Sequence, residues 1–356
     1  MTARSTLGAL AVGLLLGSFS LGVMGADPLQ ALSSIFLGSF ASAYGFGETV
    51  TKAIPLMLAG TGLALAFRGR LWNIGAEGQL LAGAVAATGA ALSLKDLLPG
   101  FLMVPALFAA GAAGGAAWGL LAGWLKTRFQ VNEVIGSLML NYIAAEAVQY
   151  LIYGPWKGAT QFGFPYTDNF CAAATLPVIA GTRVHAPTLA VALAAAGGAF
   201  WALRRMRFGF EVRALGGNPE AARYAGIDPA RTALILMALS GGLAGLAGAG
   251  EAAGIHHHLT YPWAVSSGYG YSAIIVAWVA GLNPLLVVPS ALFLGGILVG
   301  GDAIQTSMGL PASAISLFNG ILLLSLMGGE FFARRRPQRS PSPLAGEGRD
   351  GGPGHK

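Results

Sequence analysis

Long apolar runs, each broken by a short polar, glycine-rich or basic cluster, recur along almost the whole chain. A helix rises about 1.5 Å per residue and needs roughly 20 apolar residues to cross a hydrocarbon core. On that measure the pattern predicts ten spans, at residues 7–25, 49–67, 71–93, 100–125, 131–153, 186–203, 232–255, 268–284, 285–304 and 311–332. The run 31–46 is shorter and rich in Ser and Gly, and reads as an interfacial or re-entrant segment. The expected fold class is therefore all-α: a polytopic integral membrane protein of about ten transmembrane helices, with one transmembrane domain over residues 1–336. Arg4, the apolar run after it and the small residues Gly25 and Ala26 also fit a cleaved signal peptide. The run is long for a signal core, so a retained helix is expected. Residues 337–356 are rich in Pro, Gly and Ser without apolar periodicity, and read as a disordered tail.

Composition supports the membrane reading. Only 10% of residues are charged and 54% are hydrophobic, with mean hydropathy +0.64, whereas soluble domains are about 25% charged. The 54 glycines fall inside apolar runs, where small residues let membrane helices approach closely. The net charge of +6 is no nucleic-acid signature, because the basic residues sit at the ends of apolar segments. They set an orientation instead. With the N-terminus cytoplasmic, 17 of the 21 Lys and Arg residues fall on the inside, leaving Lys52, Lys95, Lys157 and Arg183 outside. Without the distal Arg349 and Lys356 the asymmetry is still 15 to 4, so both termini are expected in the cytoplasm. Two longer loops result, an outer one at 154–185 and an inner one at 204–231 carrying six arginines. The lone Cys171 excludes a disulfide framework within the chain.

The inner loop contains explicit helix signals. Asn218 can cap a helix, Pro219 suits its first position, and Glu220 complements its N-terminal dipole. Gly226 ends that helix, and Asp228 with Pro229 starts the next. The expected element is a helix at 219–225 between two spans, suited to docking a cytoplasmic partner. The plainer alternative is a charged loop that only fixes topology. Glu220-Ala221-Ala222 followed by Gly226 resembles the EAA loop of ABC-transporter permeases, the element that contacts the ATPase subunit. Gly216-Gly217-Asn218-Pro219 and Ala225-Gly226-Ile227 resemble the branch that imports simple sugars and nucleosides. Three further stretches resemble the nucleoside-type permeases, in matching order along residues 50–330. They are Asn73-Ile74-Gly75-Ala76-Glu77-Gly78-Gln79, Lys126 to Ile135 running on to Asn141-Tyr142, and Gly268-Tyr269-Gly270-Tyr271-Ser272-Ala273-Ile274.

Strongly polar groups inside spans are costly and so are functional candidates. Tyr142, Glu146, Gln149 and Tyr153 share one helical stripe that can line a polar path or bond neighbouring helices. Asn73 and Glu77 stand four apart at the inner end of the third span, with the same two readings. Asn141, Tyr269 and Tyr271 complete the candidate path residues, and Glu251, Asp302, Gln305 and Asn319 lie in or near later spans. Tyr261, Trp263, Tyr269 and Tyr271 suit either an interfacial belt or stacking on a substrate ring. Adjacent His256, His257 and His258 diverge on a helix, with no carboxylate or Cys close in sequence, so no metal site is expected. Gly111, Gly115, Gly119 and Gly123 form a four-residue ladder, and Gly241 with Gly245 and Gly250 with Gly254 repeat the spacing. No nucleophile elbow, zinc-protease motif or phosphate loop is present, so energy for active transport must come from another chain.

The resemblance implies an ABC importer permease of a bacterial cytoplasmic (inner) membrane, binding no cofactor itself. ATP and Mg would be used by two cytoplasmic ATPases. Other implied partners are a second permease subunit and an extracytoplasmic substrate-binding lipoprotein. Its ATPase-coupling residues would be Asn218, Pro219, Glu220, Ala221, Ala222 and Gly226. The expected substrate is a nucleoside, with a simple sugar such as a pentose as the alternative. An ion-coupled secondary transporter would need midplane ion sites on broken helices in matched halves, and no matched pair is evident. An intramembrane enzyme would need a catalytic set at bilayer depth, and the chain offers only scattered carboxylates.

Overall fold

The computed structural model describes residues 3–335, so the tail at 337–356 lies outside it. It contains α1 (Ala3–Val23), α2 (Pro28–Phe40), α3 (Ala43–Arg68), α4 (Ala76–Ser93), α5 (Gly100–Phe129), α6 (Glu133–Tyr153) and α7 (Ala186–Arg205). There follow α8 (Arg207–Gly217), α9 (Pro219–Tyr224), α10 (Pro229–Glu251), α11 (Pro262–Ser266), α12 (Tyr269–Val279), α13 (Pro284–Met308) and α14 (Ala312–Arg335). No strand occurs among the described residues; the nearest approach is one antiparallel bridge, Val178 to His185. Six helices are long and apolar enough to cross a membrane: α3, α5, α6, α7, α10 continued through a π-turn to His256, and α13. A seventh arises if α1 from Gly8 and α2, bent by 120°, count as one broken span.

The bundle is built around α3, in which 89% of the most apolar window is buried. Such a helix is hydrophobic all round because protein surrounds it. It packs against α10, α12, α13 and α7, while α4, α5 and α10 form a second tight group. The glycine ladder expected on α5 faces α10. A Cβ on Gly115 would lie 2.6 Å from the Gly245 Cα, and one on Gly119 3.3 Å from the Gly241 Cα. As α5 numbers rise, their α10 partners fall, so the two helices run antiparallel. Gly250 and Gly254 face α7 instead, against Thr188 and His185. Backbone contact at these seams replaces the side-chain interdigitation of a soluble core.

Two expected spans differ in the structure. The span placed at 71–93 begins only at Ala76, because residues 69–75 form an irregular turn that buries Leu71, Asn73 and Gly75 and leaves Arg70 and Trp72 exposed. The span placed at 268–284 is the eleven-residue α12, about 16 Å long and too short to cross alone. It is separated from α11 by Ser267 (φ 44°) and Gly268 (φ 73°), both left-handed, which end one helix and start another. The run 31–46, expected to be interfacial or re-entrant, covers most of α2 and the start of α3. Ala31, Ile35 and Ser39 are buried, and the 120° bend between α1 and α2 fits a broken span or a re-entrant loop. An eleven-residue helix not anticipated from sequence, α8, lies along the end of α7 with Val212 and Leu215 buried.

Candidate functional site

The polar residues of the 69–79 stretch meet those of α6, α10 and α12 deep in the bundle. The amide of Asn73 donates to Gln79 Oε1 and to Ser240 Oγ, both at 2.9 Å, while its Oδ1 accepts from Gly75 N at 3.0 Å. This last bond is an Asx-turn that competes with helix formation. Asn73 therefore precedes α4, and the expected helical Asn73–Glu77 pair is not formed. Asn141 closes the turn from the other side. Its Oδ1 accepts from Gly78 N at 2.9 Å, and its Nδ2 donates to Ile74 O at 2.9 Å and to the Tyr271 hydroxyl at 3.3 Å. Ser137 Oγ accepts from Ile74 N at 3.1 Å. Irregular backbone at bilayer depth persists only where such partners satisfy it.

The site also lies deeper than the sequence suggested. Asn141 sits eight residues from the start of α6 and Ser240 eleven from the start of α10. Both starts are at the same end of the bundle, which puts the network about 12–16 Å in, near the middle of a ~30 Å core. There Glu77, 3% exposed, reaches the break between α11 and α12, and its Oε2 accepts from Gly270 N at 2.8 Å. A carboxyl at the N-terminus of α12 meets unsatisfied backbone donors and the positive end of the helix dipole.

The remaining path candidates divide. Tyr271 is half-buried beside Asn141, whereas Tyr269 is buried at 7% exposure. Two residues apart on a helix project to nearly opposite sides, so these tyrosines do not share a surface. The α6 stripe lies on the outside of the bundle, with Tyr142, Glu146 and Tyr153 exposed and Gln149 partly so. Gln149 Nε2 donates to Glu146 Oε1 at 3.2 Å, and the Tyr153 and Tyr261 hydroxyls are 3.4 Å apart. Trp263, which is exposed, borders a small cleft with Glu77 and Tyr142, whereas Tyr153 and Tyr261 mark the far end of α6. The 154–185 segment is tied over this end: Thr167 N donates to Leu259 O (3.1 Å) and Phe170 N to His257 O (2.8 Å). Tyr166 contacts the rings of Phe164, His258 and Tyr261. His256 Nε2 and His257 Nδ1 lie 3.1 and 3.0 Å from the Ala264 and Ala253 carbonyl oxygens. Elsewhere Glu251 is buried, and Asp302 pairs with Lys52 across α3 and α13. Gln305 is exposed, and the side chain of Asn319 lies outside the described residues.

At the opposite end, α9 has the expected caps. Asn218 Oδ1 accepts from Glu220 N at 2.9 Å and from Ala221 N at 3.3 Å, with Pro219 at the first helical position. Gly226 has φ 78°, and Ile227 N donates back to Ala222 O at 3.0 Å. Asp228 Oδ1 then caps α10 through Ala230 N at 2.9 Å. Glu220, Ala221, Arg223 and Tyr224 face outward, and Tyr224 is 95% exposed. Ala222 is not on that face: at 1% exposure it is the small residue that seats α9 on the bundle. A short, capped, outward-facing helix thus sits between α8 and the long apolar α10.

The sequence itself has a match. Residues 45–327 fit the family described as the permease component of branched-chain amino acid transport systems. The chain belongs to this permease family. The permease is 36% identical over 343 residues to a glucose ABC transporter permease protein of Haloferax volcanii, covering 93% of this chain and 88% of the relative. It is 33% identical over 326 residues to a guanosine ABC transporter permease protein of Bacillus subtilis, covering 89% and 90%. A nucleoside ABC transporter permease protein of Lactococcus lactis is 27% identical over 327 residues, covering 88% of each. The expected resemblance to nucleoside- and sugar-type ABC permeases therefore holds along most of the permease. Sequence reading missed Tyr224, Ser240, Ser266 and the break before α12. Tyr224 stands beside the expected motif, but no local spacing marks the other three.

Proposed function

We propose that this permease forms the membrane path of an ATP-driven nucleoside importer. One observation carries the ATP-driven reading: α9 is capped at both ends and presents Glu220, Arg223 and Tyr224 on its exposed face. A six-residue helix is marginal alone, so its caps and buried seat serve a docking surface. A cytoplasmic ATPase is the fitting partner, with Tyr224 as an aromatic anchor and the bound ATP and Mg on the ATPase side. About ten spanning segments follow if α4, α14, unbent α1 and the α11–α12 pair join the six long helices. The basic asymmetry supports a cytoplasmic-membrane orientation with both termini and α9 inside and residues 154–185 outside. The exposed Tyr142–Tyr153 stripe is a poor lipid surface, and a second permease facing it would enclose a polar path. An extracytoplasmic binding lipoprotein would deliver substrate at the 154–185 end.

Substrate choice rests on the guanosine- and nucleoside-permease relatives and the four motifs. The 36% identity to a glucose permease keeps a simple-sugar importer as the second reading. In cells expressing the whole transporter, labelled guanosine uptake is expected to exceed labelled ribose uptake. Excess adenosine should compete and excess ribose should not. Normal ribose uptake without competition by guanosine or adenosine would replace the nucleoside reading with the sugar one.

A further inference from the structure

We propose that the cleft beside Glu77 is a subsite for a single hydroxyl group of a sugar ring crossing the midplane. The proposal rests on the importer reading above and adds which substrate atom this chain recognises. The cleft measures about 20 Å³ and is bordered by Glu77, Asn141, Tyr142, Trp263, Ser266 and Tyr271. Room for one water-sized group begins at roughly 10–15 Å³. A whole ring cannot enter, but one hydroxyl can, while the ring stays at the mouth beside the exposed Tyr142 and Trp263.

The chemistry of the cleft selects a donor. Glu77 Oε2 is committed to Gly270 N, whereas the buried Oε1 has no hydrogen-bond partner. The Ser266 hydroxyl and the backbone of Gly268 and Tyr271 also face this carboxyl group, but the Ser266 hydroxyl donates to the Pro262 carbonyl at 3.0 Å. The Asn141 amide is also engaged, with Ile74 O and the Tyr271 hydroxyl. An unpaired buried acceptor is costly, and an arriving hydroxyl relieves that cost where a hydrogen atom or methyl group cannot. A site built this way discriminates strongly against analogues lacking the hydroxyl. The substrate class is therefore a hydroxylated ring, such as a nucleoside's ribose or a free sugar.

The test uses the assembled transporter in cells, comparing wild type with Glu77→Gln at matched membrane levels. Uptake of labelled guanosine, 2′-deoxyguanosine, 3′-deoxyguanosine and ribose is measured. In the variant the amide oxygen can keep the Gly270 bond while the NH₂ removes the free acceptor, so the substrate hydroxyl can no longer donate there and must reorient to accept. The guanosine uptake rate is expected to fall about tenfold, while one deoxy analogue keeps its wild-type rate. A proportional fall for all substrates, or none, overturns the subsite and leaves the nucleoside reading standing. Transport of ribose alone removes the nucleoside reading, and the subsite then stands only if a deoxyribose keeps its wild-type rate in the variant while ribose falls about tenfold. Should Glu77→Gln not reach the membrane, thiol labelling of Tyr142→Cys in a Cys171→Ser background serves instead. Guanosine should slow labelling at least about threefold and the matching deoxy analogue should not; equal effects from both would overturn the proposal.

Discussion

Gly115→Leu is expected to abolish accumulation of the folded permease in the membrane. A Cβ at this position would lie 2.6 Å from the Gly245 Cα and 2.8 Å from its amide nitrogen. Both obstacles are backbone, so no rotamer change relieves the clash, and α5 and α10 must separate along their seam. Overpacking a well-packed core typically costs about 1–3 kcal/mol. The cost here exceeds that range because the neighbouring contacts at Gly111 and Gly119 are broken too. Gly198→Leu on α7 is the control, since Gly198 is exposed and a Cβ there meets nothing within 4 Å. Immunoblots of membranes and thermal unfolding in detergent read the result. A Gly115→Leu protein at wild-type level and stability would mean that the α5–α10 packing is wrong.

Gly226→Val is expected to weaken ATPase association by about 5- to 30-fold, or to uncouple hydrolysis from uptake, while membrane insertion stays normal. Nothing lies within 4 Å of a Cβ at Gly226, so the penalty is purely conformational. Its φ of 78° puts a β-branched residue in the left-handed region at about 1–2 kcal/mol. The αL turn and the Ile227-to-Ala222 bond hold the end of α9, so strain there tilts or frays the docking face. Gly226→Asn separates strain from size, because Asn tolerates this region, and it should retain most coupling. Glu220→Lys should also impair coupling, by placing a positive charge in the first turn of α9. Pull-down of the ATPase and substrate uptake at matched expression measure all three variants. Wild-type behaviour of Gly226→Val and Glu220→Lys in both assays would reduce this loop to a topological anchor.

Legibility in the sequence followed how local the physics was. The α9 caps lie within eleven residues, Asn218 to Asp228, and each acts on backbone two to four positions away, so composition and spacing revealed them. The α5 glycine ladder was equally plain, since small residues four apart define one face, although only the structure pairs it with Gly241 and Gly245. Asn73 shows the limit. Its neighbours Glu77 and Gln79 suggested a continuous helix, yet its decisive partner, Ser240, is 167 residues away. The break before α12 was hidden because Ser267-Gly268 sits between apolar segments, and a carboxyl from α4 satisfies the exposed helix end. Tyr269 and Tyr271 shared a motif but not a face, which helical geometry alone would have separated. The outward tyrosine of α9 and the amphipathic α8 were masked by the density of arginines in one loop.

Transport by this permease is expected only when partner ATPases drive it. The most direct test is reconstitution of the permease, its second permease and the ATPase in proteoliposomes supplied with the substrate-binding protein. Labelled guanosine uptake is measured with ATP and no ion gradient, then with a proton or sodium gradient and no ATP. Uptake should require ATP and Mg on the ATPase face and vanish with a hydrolysis-defective ATPase. Uptake that persists without ATP whenever the gradient is imposed would contradict the account and identify an ion-coupled transporter.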